Sequence, residues 1–146
     1  MSVLVTDAGF QPDDWRGGFV PASALRHRPC AVGLGVDLAA DADPTRLVRH
    51  FPAIALLRIR LPHFAAQDGF ELAHRLRALG YSGRLRAEGH VLADQYTLAR
   101  RAGFDEVEIS AGLALRQPEE HWKFRGNWRH DAYGSRLRAR SPGGIP

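Results

Sequence analysis

Hydrophobic residues occur along this chain in blocks whose spacing switches between that of strands and that of helices. Residues 2–6 alternate as in a short strand, and residues 31–38 hold a second strand candidate. The block 54–61, IALLRIRL, is apolar at nearly every position at its start, which is typical of a strand buried on both faces. Helical spacing marks residues 69–79 and 91–102, and a glycine follows each. The pattern predicts alternating strands and helices.

Shorter elements complete this alternation. Asp43-Pro44 is a good helix start, because aspartate caps a helix N-terminus and proline suits its first position. The apolar face expected for this helix consists of Leu47, Val48 and Phe51. Residues 84–88 and 107–109 add two strands. The order β-α-β-α-β-α-β with short connections predicts a parallel sheet with right-handed crossovers.

The predicted fold is α/β, a single domain whose small parallel sheet has about four β-α units and an added N-terminal strand or hairpin. Residues 1–112 are expected to form this domain. Residues 113–146 are expected to be a basic and aromatic C-terminal extension, partly disordered and not needed for folding, because the repeating pattern ends before it. Residues 16–30 contain glycine and proline without a clear period and are predicted to be irregular.

Composition narrows the class of protein. Hydrophobic residues make up 45% and charged residues 25% of the chain, as in soluble globular proteins. No apolar run approaches the roughly 20 residues that span a bilayer, and no secretory signal is evident, so we expect a cytoplasmic protein. The single cysteine, Cys30, excludes a disulfide framework or a thiolate-held iron–sulfur cluster within one chain.

The net charge of +4 comes entirely from the C-terminal extension, which holds seven basic and three acidic residues. Its aromatic residues, Trp122, Phe124 and Trp128, stand among arginines, a combination that can bind phosphate and stack bases. The alternative is that these rings pack on their own domain or on a second subunit. We favour packing, since the remaining chain is neutral and lacks a nucleic-acid-binding signature. A second copy of the chain is thus a candidate partner, and nucleic acid is not expected.

Two predicted loops hold candidate catalytic side chains. His63 and His90 each closely follow a strand, and the ends of neighbouring parallel strands meet at one edge of a sheet. We therefore expect the two histidines to lie together at this rim, near Asp68 and Asp94. Histidines beside carboxylates can form an acid/base pair or bind metal, and two unrelated surface histidines are the alternative. No HExxH or HxH spacing supports a metal site.

Two further residues of this region could organise the loops or bind a ligand. Gly89 stands where backbone N–H groups at a helix start could bind an anion, although Asp94 opposes a strongly anionic ligand. Gln95 lies in an apolar helical stripe, where an unpaired buried amide costs on the order of 1–3 kcal/mol. We expect Gln95 to hydrogen-bond the 62–69 loop or a strand end; direct ligand contact is the alternative. Because GxGxxG and GxxxxGK[ST] are absent, no cofactor is expected.

These residues resemble the bacterial domain-of-unknown-function family 934. The resemblance rests on four segments, DAGFQPDDW, IALLRIRLPHF, GFELAHRLRALGYSGRLRAEGHVLADQ and AGFDEVEI. It covers roughly residues 7–110 and leaves the C-terminal extension outside. Members of the family are commonly labelled oxidoreductases of sulfite reduction, because they accompany the sulfite/nitrite reductase haemoprotein.

The chain departs from the family pattern in both loops. Asp68 replaces an arginine and Glu71 a serine of the first loop, and His90 replaces an aspartate of the second. The residues that persist are Gly69, Phe70, Gly89, Asp94 and Gln95. The resemblance therefore adds Gly69 to the loop-organising or ligand-binding candidates. It implies either that an Arg/Asp pair has become an Asp/His pair or that an ancestral site has been lost.

Three functions remain in competition. The resemblance implies an accessory protein of assimilatory sulfur metabolism that acts with a sulfite/nitrite reductase haemoprotein, without redox chemistry of its own. The rim residues favour a small cytosolic enzyme with an acid/base site. The basic extension favours a nucleic-acid-binding module. The first is the leading hypothesis, and whether the protein is an enzyme stays open.

Overall fold

The computed structural model describes residues 2–27, 32–62 and 66–126. Within these ranges the strands are β1 (Ser2–Thr6), β2 (Gly9–Gln11), β3 (Val20–Pro21), β4 (Leu34–Ala39), β5 (Ile54–Leu61), β6 (Arg84–Gly89) and β7 (Glu106–Ser110). The α-helices are α1 (Ala66–Ala78), α2 (Tyr96–Ala102), α3 (Ala111–Arg116) and α4 (Glu119–Arg125). Three 3-10 helices cover Ala22–His27, Pro44–Ala53 and Ala93–Gln95. No helix in this described part is both long and apolar enough to cross a membrane.

The strands form one sheet in the order β2-β1-β7-β6-β5-β4-β3. Strands β3 to β7 are parallel, and β1 is antiparallel to both β7 and β2. The predicted α/β fold with an added N-terminal hairpin is therefore confirmed. The region expected to be irregular contributes the short edge strand β3 and the first 3-10 helix.

The parallel strands are neighbours in chain order, so each right-handed crossover runs over the same face of the sheet. The strand residues on that face form the core, where Leu57, Leu85 and Val107 are 0% exposed. Alternate residues of the same strands, among them Arg58 and Arg86, point to the opposite face. The expectation that β5 is apolar on both faces holds only for its start, because from Arg58 onward the opposite face is charged.

The helix predicted after Asp43 forms, but as a 3-10 helix. The Asp43 carboxylate accepts from the Thr45 backbone N–H at 3.0 Å, which confirms the expected cap. A 3-10 helix has three residues per turn, and this period buries Pro44 and Leu47 while it leaves Val48 39% exposed. Pro52 lies inside this helix and is incompatible with a continuing α-helix. The predicted apolar face was therefore wrong at Val48.

The packed domain continues beyond the boundary expected at residue 112. Leu113 on α3 is 4% exposed, and Trp122 on α4 is 0% exposed within the same hydrophobic core. The Trp122 ring meets Tyr96 edge-on at 6.0 Å between centroids, and its Nε1 donates to the Gln117 carbonyl at 2.9 Å. Residues 113–126 thus belong to the domain, and Trp122 packs on its own domain as favoured. Trp128 lies outside the described residues, as do Cys30 and His63.

Candidate functional site

The loops after β5 and β6 open at the same edge of the sheet. Leu61, the last residue of β5, is paired with Gly89, the last residue of β6. The His90 backbone N–H donates to the Leu61 carbonyl at 3.2 Å. The predicted adjacency of the two loops is confirmed by this pairing. Because His63 lies outside the described residues, its approach to His90 stays a prediction.

Both candidate glycines pack against Leu61. Gly89 has φ of +130°, which L side chains rarely adopt, and a Cβ there would overlap the Leu61 carbonyl. Gly69 is buried in α1, where a Cβ would overlap the Leu61 side chain. At Gly89 the backbone conformation and the close approach of two strand ends require glycine. At Gly69 a side chain would displace the Leu61 side chain between α1 and β5. These residues shape the rim by letting its backbone segments come together.

Gln95 has a local partner instead of the one expected. Its Oε1 accepts from the Leu92 backbone N–H at 2.9 Å, and the residue is only half-buried. Helix α2 begins at Tyr96, after the 3-10 turn, so Tyr96 and Ala99 supply its buried face. The hydrogen bond expected from Gln95 to the 62–69 loop or a strand end was therefore wrong, since the partner is Leu92. Within the described residues, this side chain closes the turn that starts the helix.

A cleft of about 630 Å³ opens at the rim, and we call it the rim cleft. Its apolar lining includes Leu61, Ile109 and Leu113. Its charged or titratable lining consists of Arg60, Glu88, His90 and Arg116. Arg60 is paired with Glu88 at 3.0 Å and with Asp37 at 3.3 Å. Arg116 at the end of α3 is exposed, and its guanidinium makes no ion pair or hydrogen bond with any described residue. The rim cleft therefore offers an apolar floor beside an available guanidinium.

The described candidate catalytic residues do not share one cleft. His90 lines the rim cleft, whereas Asp68 lines a neighbouring cleft of about 490 Å³ that also contains Asp41. Asp94 lines a third cleft, of about 370 Å³, together with Gln117. The structure thus brings the loops of Asp68 and His90 to one edge, and the two side chains line adjoining clefts that share Arg60 and Pro62. Within the described residues, it assembles no group of three or more His, Cys, Asp or Glu suited to holding a metal ion.

A buried ion-pair network on the charged face of the sheet was missed from the sequence. Asp37, Arg58, Arg86 and Glu106 stand side by side in register across β4 to β7. Arg58 Nε donates to Asp37 Oδ1 at 2.6 Å, and Arg86 Nε donates to Glu106 Oε2 at 2.7 Å. Glu108 joins the two arginines, accepting from Arg58 Nη1 at 3.2 Å and from Arg86 Nη1 at 3.0 Å. The signal in the sequence was RIR and RLR on neighbouring strands, followed by EVE.

The N-terminal segment 13–19 crosses this face and completes the network. Asp13 accepts from both terminal nitrogens of Arg86 at 3.1 Å, and Asp14 accepts from Arg84 at 2.8 Å. The Phe19 ring lies 3.7 Å from the Arg58 guanidinium carbon. We call this segment the strap. Its carboxylates and aromatic ring cover arginines that the crossover helices, on the other face, cannot reach.

The network favours the charged forms of Arg86 and Asp13. Burial lowers the pKa of Arg86, but the hydrogen bonds to Asp13 and Glu106 outweigh burial and raise the pKa above its ordinary value. Burial raises the pKa of Asp13, but the hydrogen bonds from Arg86 and the Trp15 N–H hold it below the ordinary 3.8. In the described residues, no buried side-chain nitrogen or oxygen is without a hydrogen-bond partner. This arrangement builds a scaffold rather than a proton-transfer site.

Fold and rim together define a small α/β protein whose sheet has an apolar core on one face and an ion-pair network on the other. A family model described as "Bacterial protein of unknown function (DUF934)" matches residues 35–142, and the chain belongs to this family. No curated protein and no solved structure matches the chain. The match includes most of the C-terminal extension, which was expected to lie outside the resemblance. It begins after the strap.

Proposed function

We propose that this protein is an accessory component of assimilatory sulfur metabolism that acts with a sulfite/nitrite reductase haemoprotein and carries out no redox step of its own. The family resemblance supports the pathway. The single structural observation that supports an accessory role is the separation of Asp68, His90 and Asp94 into three clefts.

This separation matters because general acid/base catalysis needs both groups within hydrogen-bond reach of the reacting atoms. The strongly paired charges of the sheet are unsuited to that task as well. Arg58 and Arg86 are committed to carboxylates on neighbouring strands, and removing either cation would leave buried carboxylates with one ion-pair partner fewer. A binding role, unlike an acid/base mechanism, does not require Asp68, His90 and Asp94 to reach the same atoms.

The rim cleft is the surface that we assign to the haemoprotein. Arg116 is exposed and available, and His90 lines the same cleft. The carboxylate of the cleft, Glu88, is already paired with Arg60, so Arg116 supplies the unpaired charge. Apolar residues at its floor provide area that a partner side chain can cover. The occupant that complements this surface is an acidic segment of the haemoprotein with an apolar side chain at its centre.

Binding of the full-length chain to the purified haemoprotein tests the proposal, by titration calorimetry alongside a sulfite-reduction assay. We expect a complex and a change in the rate of sulfite reduction. Arg116→Glu should weaken the affinity about tenfold, which corresponds to a loss of about 1.4 kcal/mol of binding free energy, because a charge pair with the partner is lost. Arg101→Glu is the matched control, because Arg101 is an exposed arginine on α2 outside the rim cleft. Absence of both binding and a rate change would refute the accessory role.

A further inference from the structure

A second cleft lies beside β4, between the 3-10 helices Ala22–His27 and Pro44–Ala53. We call it the β4 groove. Its volume is about 760 Å³, within the roughly 300–1,000 Å³ that is usual for small-molecule sites. It shares no lining residue with the rim cleft, so it stands independently of the proposed function.

The floor of the β4 groove is apolar. Leu38 of β4 and Leu47 of the second 3-10 helix are each 3% exposed, and Val48 presents a 39% exposed side chain at the wall. Ala22 and Ala42 are small enough to leave the space between the helices open. An apolar body placed here would cover the exposed carbon of Val48, which is favourable in proportion to the area covered, and would lie over the buried Leu38 and Leu47.

The edge of the groove is cationic, and its charges are largely unused. Arg26 and Arg49 are exposed and make no ion pair or hydrogen bond with any described residue. Arg46 only approaches Asp43, at 3.9 Å. Asp43 is the single carboxylate of the lining, and its Oδ1 already accepts from the Thr45 N–H and hydroxyl at 3.0 and 2.7 Å.

The geometry of the 3-10 helix places these charges together. Residues three apart eclipse one another in such a helix, so Arg46 and Arg49 project from the same side of it. Arg26 faces them from the other helix that borders the groove. Three arginines therefore line the groove together with one carboxylate, which the helix cap already uses.

We propose that the β4 groove binds a small organic anion that joins a flat apolar body to a phosphate-like group. The apolar body would pack on Val48 above the floor of Leu38 and Leu47. The anionic group would take charge-assisted hydrogen bonds from Arg26 and Arg49. The location agrees with this assignment, because Leu38 and Ala42 flank the carboxyl end of β4, where α/β sheets place their ligands.

Titration of the full-length chain with 1-naphthyl phosphate tests the proposal, with 1-naphthol and inorganic phosphate as its two halves. We expect the phosphate ester to bind at least about tenfold more tightly than either half, because the two parts contact different surfaces of the groove. Equal affinity for inorganic phosphate would reduce the groove to an unselective anion site. Equal affinity for 1-naphthol would reduce it to an apolar patch. Either result, or no binding of the ester, overturns the proposal.

Substitutions locate the site. Arg49→Gln and Arg26→Gln should each weaken binding of the ester about tenfold, and Val48→Thr should weaken it several-fold. Arg101→Gln is the matched control, since Arg101 is an exposed arginine outside the groove. None of the replaced arginines has a described partner, so thermal melting should be unchanged in all three arginine variants. Binding that is equally weakened by Arg101→Gln would show nonspecific attraction and contradict the proposal.

Discussion

The Arg86 guanidinium is completely buried, and its Nε donates to Glu106 Oε2 at 2.7 Å on the neighbouring strand. This relationship organises one whole face of the sheet, because Glu108 and Asp13 bind the remaining nitrogens of the same arginine. Burying an ion pair costs desolvation free energy. Removing one partner of a buried pair costs more stability, because the remaining charge has no water to stabilise it.

Arg86→Ala should therefore lower the free energy of unfolding by about 3–5 kcal/mol, because Asp13 loses its ion-pair partner and the buried Glu106 and Glu108 each lose one of two. Urea denaturation followed by circular dichroism measures this change. Arg101→Ala, at an exposed arginine on α2, should stay within about 0.5 kcal/mol of the parent chain. A loss at Arg86 as small as that at Arg101 would show that the network contributes nothing to stability.

Acid should weaken the attachment of the strap through Asp13. The pKa of this carboxyl is held below 3.8 in the folded chain, so its ionised form favours folding. That contribution is complete above 3.8 and disappears as the pH falls through the lower folded-state value. Asp13→Asn should thus be destabilising at neutral pH and much less so in acid, as urea titrations at each pH would show.

The matched control for Asp13 is Asp41→Asn, at an exposed carboxylate with no described ion pair. It should not reproduce this loss at neutral pH. If Asp13→Asn cost the same at every pH, the strap would be attached by packing of Trp15 and Phe19 and not by the carboxylate.

Trp122 should be essential to the domain although it lies beyond the expected boundary. Trp122→Ala should cost about 3–5 kcal/mol, because it empties a fully buried site next to Tyr96. Phe124→Ala, on the same helix but 72% exposed, should change stability by less than about 0.5 kcal/mol. A chain ending near Ala114 should accordingly lose stability in thermal melting, and unchanged melting would show that α4 is dispensable.

Gly89 should tolerate no side chain. Gly89→Ala combines a left-handed backbone with overlap on the Leu61 carbonyl, and we expect a loss of about 1–3 kcal/mol or more. Gly112→Ala is the contrasting change, since a Cβ there meets only Ser110 Oγ at 3.9 Å inside α3. It should stabilise the chain by up to about 1 kcal/mol through helix propensity. Equal effects on the chemical-denaturation midpoint would refute this distinction.

Gln95→Leu should loosen the turn at Leu92 and not the 62–69 loop. The lost side-chain hydrogen bond should cost about 0.5–2 kcal/mol, as for a helix cap, and raise amide exchange at Leu92. Hydrogen exchange read by mass spectrometry separates the two regions. Increased exchange confined to Pro62–Gly69 would contradict this prediction and support the hydrogen bond from Gln95 to that loop, which the sequence suggested.

Much of the fold was predictable because the local patterns agree with one another. Strand β5 has the predicted bounds, and α1 begins three residues earlier than predicted. A helix was predicted after Asp43, but its 3-10 type was not. An N-cap and a proline at the start occur in both α-helices and 3-10 helices. Trp122 escaped because an aromatic residue among arginines has the same composition whether it packs inward or faces solvent.

The sequence by itself determined the alternation of strands and helices, the parallel sheet, and the edge at which the candidate loops meet. These features depend on residue spacing and on the handedness of short connections, which are local. Only the tertiary structure decided that Arg86 is buried beside Glu106, that Gln95 bonds to Leu92, and that Asp68, His90 and Asp94 line different clefts. Those outcomes depend on which side chains face one another across strands and clefts, and sequence spacing carries no record of distances through space.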